Sequence, residues 1–195
     1  MKKLSLDYYQ ANALDLAPDL IGKILCHQEK DQVLMGRIIE TEAYLQDDKA
    51  CHAYGGKKTQ RTAPLFFQGG HIYTYFTYGI HTLFNIVTGP EGNAQAVLIR
   101  ALDPVQGEET FYQRRFGKGK DQATSYQKKN LLNGPAKLTQ ALGISLEDNK
   151  KTLDGSIYLL DDGFQGPIEA TKRIGIDYAQ EAVDYPYRFI LKNKN

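Results

Sequence analysis

Residues Arg37 to His52 read RIIETEAYLQDDKACH, a β-branched apolar run that ends in a carboxylate (Glu42), an aromatic (Tyr44) and, past a polar stretch, a histidine (His52). A carboxylate placed there is not core filler, because burying an unpaired charge is expensive. It either sits at the rim of a cleft or has a partner. Upstream, Lys23 to Glu29 and Val33 to Thr41 are β-rich runs separated by Lys30, Asp31 and Gln32, the pattern of an antiparallel hairpin. Val33, Met35 and Ile39 fall on one face of the second run and Leu34 and Ile38 on the other, which marks a strand covered on both sides. Glu40 and Glu42 share parity with Leu34 and Ile38, so they point toward covered space unless a bulge intervenes.

Ala17-Pro18-Asp19 predicts the start of a helix, with Pro18 in its first turn, running through Leu20 and Ile21. Gln46 to Gln60 reads as a loop or a short helix. HIYTYFT and IHTLFNIV flank Tyr78-Gly79, a hairpin whose turn glycine can take positive φ. Ala94 to Leu102 (AQAVLIRAL) is a buried type of strand carrying one cation, Arg100. Gly107 to Phe116 reads as a helix, and GKGKDQATSYQKKN after it as a mobile basic loop. Asn133-Gly134-Pro135 before AKLTQALG supplies a cap, a first-turn proline, apolar spacing and the terminator Gly143. Ser156 to Leu160, Ile168 to Ile176 and Tyr187 to Leu191 complete the strands. With no repeat and no dividing linker, the 195 residues form one domain. The expected class is α+β: a curved, mostly antiparallel sheet flanked by helices, with a protruding β-hairpin.

Composition narrows the function more by exclusion than by assertion. With 42% hydrophobic and 24% charged residues, the chain is not disordered. No apolar run reaches the roughly 20 residues that cross a bilayer, and MKKLSLDYYQ lacks the apolar region of a signal peptide. A cytoplasmic location is expected, and the two unpaired cysteines, Cys26 and Cys51, suit it. The net charge of +1 hides local clusters at Lys57, Lys58 and Arg61, at Arg114, Arg115, Lys118 and Lys120, and at Lys128 and Lys129. A basic face of this kind fits a polyanion, although any one cluster also fits an ordinary mixed-charge surface.

Several ready-made motifs fail. GKGK is followed by Asp121, so there is no phosphate-binding P-loop, and no GxSxG elbow occurs. His27-Gln28-Glu29 matches half of a zinc deaminase signature, but no PCxxC follows. Cys51 and His52 are adjacent, and neighbouring side chains point apart, which disfavours a thiol nucleophile. No metal site or cofactor is expected. What remains is a set of strong polar groups beside apolar runs: Glu42, His52, Asn85 and Arg100. Singly, each has an ordinary explanation as an ion-pair member, a loop residue or a core amide. Together they point to a site, since a one-domain core rarely holds so many. Tyr75 and Tyr44 add faces able to stack on a planar ligand, worth about 1–3 kcal/mol per base, whereas Tyr73, on the same face as Tyr75, reads as core packing. A large aromatic at a hairpin tip, Tyr78, suits a wedge between base pairs.

RIIETEAYLQDDKACH, YTYFTYGIHTLFN, VLIRALDP and NGPAKL, in that order, resemble the alkyladenine (3-methyladenine) DNA glycosylases of the non-helix-hairpin-helix type, and the similarity runs from the first helix to RFILK. The resemblance implies a cofactor-free base-excision repair enzyme. It would flip a damaged purine out of double-stranded DNA and hydrolyse its N-glycosidic bond, acting as a monomer in the cytoplasm, close to the nucleoid. Carried over by motif, Glu42 is the general base for the attacking water, and Arg100 holds that water and a nearby phosphate. Tyr44, His52 and Tyr75 form the slot for the extruded base, and Asn85 stands at its floor against the 2-amino group of guanine. Tyr78 fills the vacated space in the duplex, beside Ile80, where the animal enzymes carry methionine. Lys137 contacts a phosphate. Two rival readings stand beside this one: a hydrolase of free nucleosides using the same acid and slot, and a non-catalytic nucleic-acid-binding module.

Overall fold

The computed structural model describes residues 1–77, 79 and 81–192. The expected wedge residues Tyr78 and Ile80 lie outside the described residues. Among the latter, nine strands form one sheet: β1 (Lys2–Lys3), β2 (Ile24–Glu29), β3 (Gln32–Tyr44), β4 (Ile72–Thr77), β5 (His81–Val87), β6 (Ala96–Gln106), β7 (Ile157–Asp161), β8 (Ile168–Thr171) and β9 (Arg188–Leu191). The order is β1-β7-β2-β3-β6-β5-β4, with β9 against β3 and β8 against β9, and each of these pairings is antiparallel. Four α-helices accompany it: α1 (Ala13–Asp19), α2 (Glu108–Phe116), α3 (Ser125–Lys129) and α4 (Pro135–Leu142). The expected α+β class and both hairpins are borne out.

The central strand, β3, decides where the polar groups go. Its first half pairs with β2 (Ile24↔Arg37) and its second half with β9 (Glu40↔Ile190, Glu42↔Arg188). At the changeover the register against β6 slips twice, from Ile38↔Leu102 through Glu40↔Ala101 to Thr41↔Ile99. Ile39 and Arg100 are the residues the ladder skips. Such a bulge re-aims side chains. Before it, Leu34 and Ile38 face the main core; after it, Ala43 does, with Val97 and Ile99 of β6 beside it. Thr41 also faces that way, its hydroxyl donating to the Ala17 carbonyl at 2.8 Å. Glu42 and Tyr44 therefore point to the opposite face from Leu34 and Ile38, contrary to simple alternation. On β3 the alternate residues Val33, Met35 and Ile39 are only half-buried, so the strand is covered mainly from one side.

The main core lies between one face of the sheet and helices α1, α2 and α4, with Leu16, Leu20, Phe111, Tyr112, Leu138 and Leu142 packed on Phe84, Ile86 and Val97. A smaller cluster on the other face joins Cys51, Ala53, Leu65, Phe66, Tyr73 and Val87.

Four local expectations need correction. Pro18 lies in the last turn of α1, not its first; the start is set by Asn12, whose side chain accepts the Leu14 N–H at 2.9 Å. A proline is tolerated there because the helix stops one residue later, and the Leu20 N–H still reaches the Leu16 carbonyl at 2.9 Å. The stretch 117–130 is not a continuous loop: Thr124 and Gln127 form a reciprocal capping box that starts α3. The strand expected over 168–176 ends at Thr171. The residue capping α4 is Gly134, which has no side chain to cap with, not Asn133.

Candidate active site

Side chains on the face away from the helices line a cavity of about 670 Å³, with Tyr44 from β3, Tyr73 and Tyr75 from β4, Asn85 from β5, and Leu98 and Arg100 from β6 in its wall. The loop after β3 contributes His52 and Arg61, the N-terminal turn of α4 contributes Lys137, and the segment between β8 and β9 contributes Ile174 and Tyr178. The cavity thus sits on the sheet's second face, with the start of α4 in its wall.

Behind this wall lies Glu42, with 0% of its surface accessible. Its Oε1 accepts the backbone N–H of Ile174 at 2.9 Å. Its Oε2 accepts the Tyr44 hydroxyl at 2.7 Å and Arg100 Nη1 at 3.2 Å. The choice posed by the sequence, rim or partner, is settled for the partner: the acid is enclosed, and the groups that enclose it are themselves cavity wall. A carboxylate has about four acceptor positions, and three are filled, which leaves one on Oε1. Arg100 also donates through Nε to Glu40 at 2.9 Å, and Arg188 Nε donates to the same oxygen at 2.6 Å. Cations and acids therefore alternate along Arg188, Glu40, Arg100 and Glu42. Burial works against the Arg100 charge, but Glu42 and Glu40 outweigh it and hold its pKa above the ordinary arginine value.

In the aromatic wall His52 stands steeply to two tyrosine rings that are tilted by 32° to each other. His52 lies 4.6 Å from Tyr75 at 77°, and its Nδ1 is 3.0 Å from the Tyr73 hydroxyl. Burial, followed by the nearby Arg61 charge, pushes the His52 pKa down to about 4, so the ring is neutral at physiological pH. Burial raises the Tyr73 phenol to about 12 and lifts Tyr75 and Tyr44 further, the latter with help from Glu42. All three stay protonated donors. Burial likewise pushes the Cys51 thiol, also in the wall, up to about 11, which removes it as a nucleophile. Asn85 is buried and donates to the Tyr73 carbonyl at 3.1 Å, so one of its amide hydrogens is spent on the backbone. Lys137 Nζ donates to Asn130 Oδ1 and Asn133 Oδ1 at 2.7 and 2.8 Å. Burial, then the Arg115 charge, lowers its pKa. Among the described residues, no three His, Cys, Asp or Glu side chains converge to hold a metal ion.

The structure thus gathers Glu42, Tyr44, His52, Tyr75, Asn85, Arg100 and Lys137 around one cavity. Arg61, which the sequence marks only as a member of a basic cluster, and Tyr178 also line it, and the pair Arg173 and Asp48, to which the sequence gives no role, lies outside it, against Tyr44. Arg173, flanked by the exposed Lys172 and Ile174, gives no sign in sequence that it is buried.

A family model described as Methylpurine-DNA glycosylase (MPG) matches residues 7–195. Among curated proteins, one named "Putative 3-methyladenine DNA glycosylase" from Clostridium botulinum (strain Alaska E43 / Type E3) is 44% identical over 97% of this chain and 96% of its own length. Proteins of the same name from Desulfitobacterium hafniense (strain Y51) and Clostridium novyi (strain NT) are 44% and 42% identical, each over 99% of this chain and over 97% and 96% of their own lengths.

Proposed function

The chain belongs to the methylpurine-DNA glycosylase family, and from that premise we propose that it excises damaged purines, 3-methyladenine among them, from duplex DNA, as one glycosylase domain working as a monomer. The observation that carries the reading is the enclosed Glu42–Tyr44–Arg100 cluster immediately behind an aromatic cavity. The base rotates out of the stack and enters between Tyr44, Tyr75 and His52. Extrusion costs a few kcal/mol, least for a damaged or mispaired base. An alkylated purine is often cationic; tyrosine faces attract it, and a neutral His52 does not repel it. Asn85 at the cavity wall bears on the 2-amino edge that distinguishes guanine.

In the chemical step a water attacks C1′ of the flipped nucleotide. The C–N bond breaks with its electron pair passing to the purine, which neutralises a cationic base, and the water's proton passes to Glu42. A purine that is cationic in the nucleotide leaves as a neutral base and needs no general acid, so for it one positioned base suffices; such a base contributes about 10²–10⁴ in rate. The vacant acceptor position on Oε1 is where the water bonds. Because Glu42 has no accessible surface, the water reaches it only when Ile174 or Arg100 gives way. That is the movement DNA binding has to supply. Arg100 then orients the water, Tyr78 and Ile80 occupy the space left in the duplex, and Lys137 takes a phosphate.

The full enclosure of Glu42 also favours a second reading, in which the acid is structural and the domain binds damaged DNA without cutting. Duplex oligonucleotides bearing hypoxanthine or ethenoadenine, incubated with protein and then treated with alkali, separate the two. Strand cleavage at the lesion is expected with the native protein. Glu42→Gln should bind the same duplex with affinity within a few-fold and release base at least ~10²-fold more slowly. Base release by the variant at the native rate removes Glu42 as the base, and no release by the native protein, either of these neutral bases or of cationic 3-methyladenine from a methylated duplex, leaves only the binding module.

A further inference from the structure

Arg173 is buried together with Asp48, its side chain 0% exposed against 2% for the acid. The guanidinium grips three separate parts of the chain. Nη1 donates to the Ala43 carbonyl at the end of β3 (2.8 Å) and to Asp48 Oδ2. Nη2 donates to Asp48 Oδ1 (3.0 Å) and to the Ala182 carbonyl (3.2 Å). Its Cζ lies over two rings, 4.8 Å from the centre of Tyr44 and 5.2 Å from that of Tyr187. Asp48 in turn accepts the Ala50 N–H at 2.9 Å, two residues before His52.

These contacts bear directly on the acid. Tyr44, held through its ring face, is a hydrogen-bond donor to Glu42 Oε2. Ile174, the residue after Arg173, supplies the N–H that bonds Glu42 Oε1. Two of the three groups that orient Glu42 are therefore placed by one buried arginine, and its counter-ion fixes the loop that carries the His52 wall. A buried ion pair is a poor means of stabilisation, since removing both charges from water costs about as much as their attraction returns. What a planar, bidentate, stacked guanidinium provides that an apolar side chain does not is direction.

We infer that Arg173, locked by Asp48, is a positioning residue for base excision, setting the orientation of the Glu42 carboxylate and the width of the Tyr44–His52 slot without touching the substrate. The inference rests on the reading of Glu42 as the base. It goes beyond that reading by assigning the reaction's geometry to a pair outside the cavity.

Arg173→Lys keeps the charge and loses the fork and the stacking plane. Single-turnover base release should fall about 10- to 100-fold, the scale of an ångström's misplacement in an active site. Affinity for a duplex carrying a tetrahydrofuran abasic site, which has no base to lose, should stay within about threefold. Arg173→Ala leaves a hole of guanidinium shape, and millimolar guanidinium, far below denaturing levels, should restore much of its rate while doing nothing for Glu42→Gln. A purely structural role predicts instead that binding and rate fall together and that guanidinium does not help. That result, or a lysine variant within twofold of the native rate, overturns the inference. Asp48→Asn, which keeps the shape and removes the counter-charge, gives the same comparison if the arginine variants do not fold. Loss of folding in all of them at the assay temperature assigns the pair to the core and likewise overturns it. If the native protein itself releases no base, the reading of the site fails, and that is seen before any variant is made.

Discussion

His52 offers a test at the level of a single proton. Burial and Arg61 hold its folded pKa near 4, against an ordinary value of 6.5. Between those two values the unfolded chain carries the proton and the folded chain does not. Stability therefore falls as the pH drops from about 6.5 to about 4, by at most ~1.4 kcal/mol per pH unit, and this contribution levels off below that. His52→Gln keeps a neutral hydrogen-bonding side chain and cannot titrate. In urea melts at pH 7, 5.5 and 4.5 the native protein should lose stability relative to the variant at each step; a constant difference would mean that the ring titrates alike in both states. How far such residues are legible depends on their neighbours in the chain. Glu42 and Arg100 stand out because each ends a run of apolar β-formers, and they prove to be partners. Asp48 and Arg173 are as deeply buried, but they lie among polar or exposed residues, so their burial is a tertiary fact. No local pattern carries it.

Among the elements, α1 and α4 serve opposite sides of the sheet's business. α1 covers the helix-side core and reaches the strand that carries Glu42 through the Thr41 hydroxyl on the Ala17 carbonyl. Asn12→Ala removes its N-cap bond and should cost about 1 kcal/mol, seen as a lower midpoint in thermal or urea unfolding. Base release per folded molecule should stay unchanged. A matching loss of rate would show that the helix also orients Glu42 through its neighbour Thr41. The strand pattern of the sequence yields β2 to β6 with close boundaries, because alternation and turn residues agree over those stretches. It does not yield the double register slip at Ile39 and Arg100, which inverts the facing of everything downstream in β3. A bulge is a feature of two paired strands, and neither strand alone records it. The short helix α3 is different. Its Thr124–Gln127 capping box is written in the sequence, beneath a run of glycines and lysines that suggests a loop.

Charge is the property that belongs to the whole molecule. The net charge is only +1, yet the compensation is uneven. Several cations away from the cavity are matched: Lys23 with Asp161, Arg37 with Asp162, Arg114 with Glu29, Lys120 with Glu108, Lys172 with Asp184. Around the cavity and the turn before α4, Arg61 packs over Tyr75, Lys137 takes two amide oxygens, and Arg115 takes carbonyl and amide oxygens of Leu131, Asn130 and Gln140. None of these three has a carboxylate in ion-pair range among the described residues. An uncompensated cation held in place by neutral acceptors is ready to receive a phosphate at little further cost in ordering. If each of the three neutralises one phosphate, the logarithm of the affinity for duplex DNA falls with the logarithm of salt with a slope of about −2.7, at roughly −0.9 per contact. Lys137→Ala should bring the slope to about −1.8 and weaken lesion and undamaged duplexes alike, because a phosphate contact carries no sequence information. Lys172→Ala, on a cation already paired with Asp184, should leave the slope where it was. Titrations of a labelled duplex between 50 and 200 mM salt measure all three proteins. An unchanged slope for the Lys137 variant, or an equal drop for the Lys172 variant, would move the DNA to another face and detach the cavity from the duplex it is read as serving.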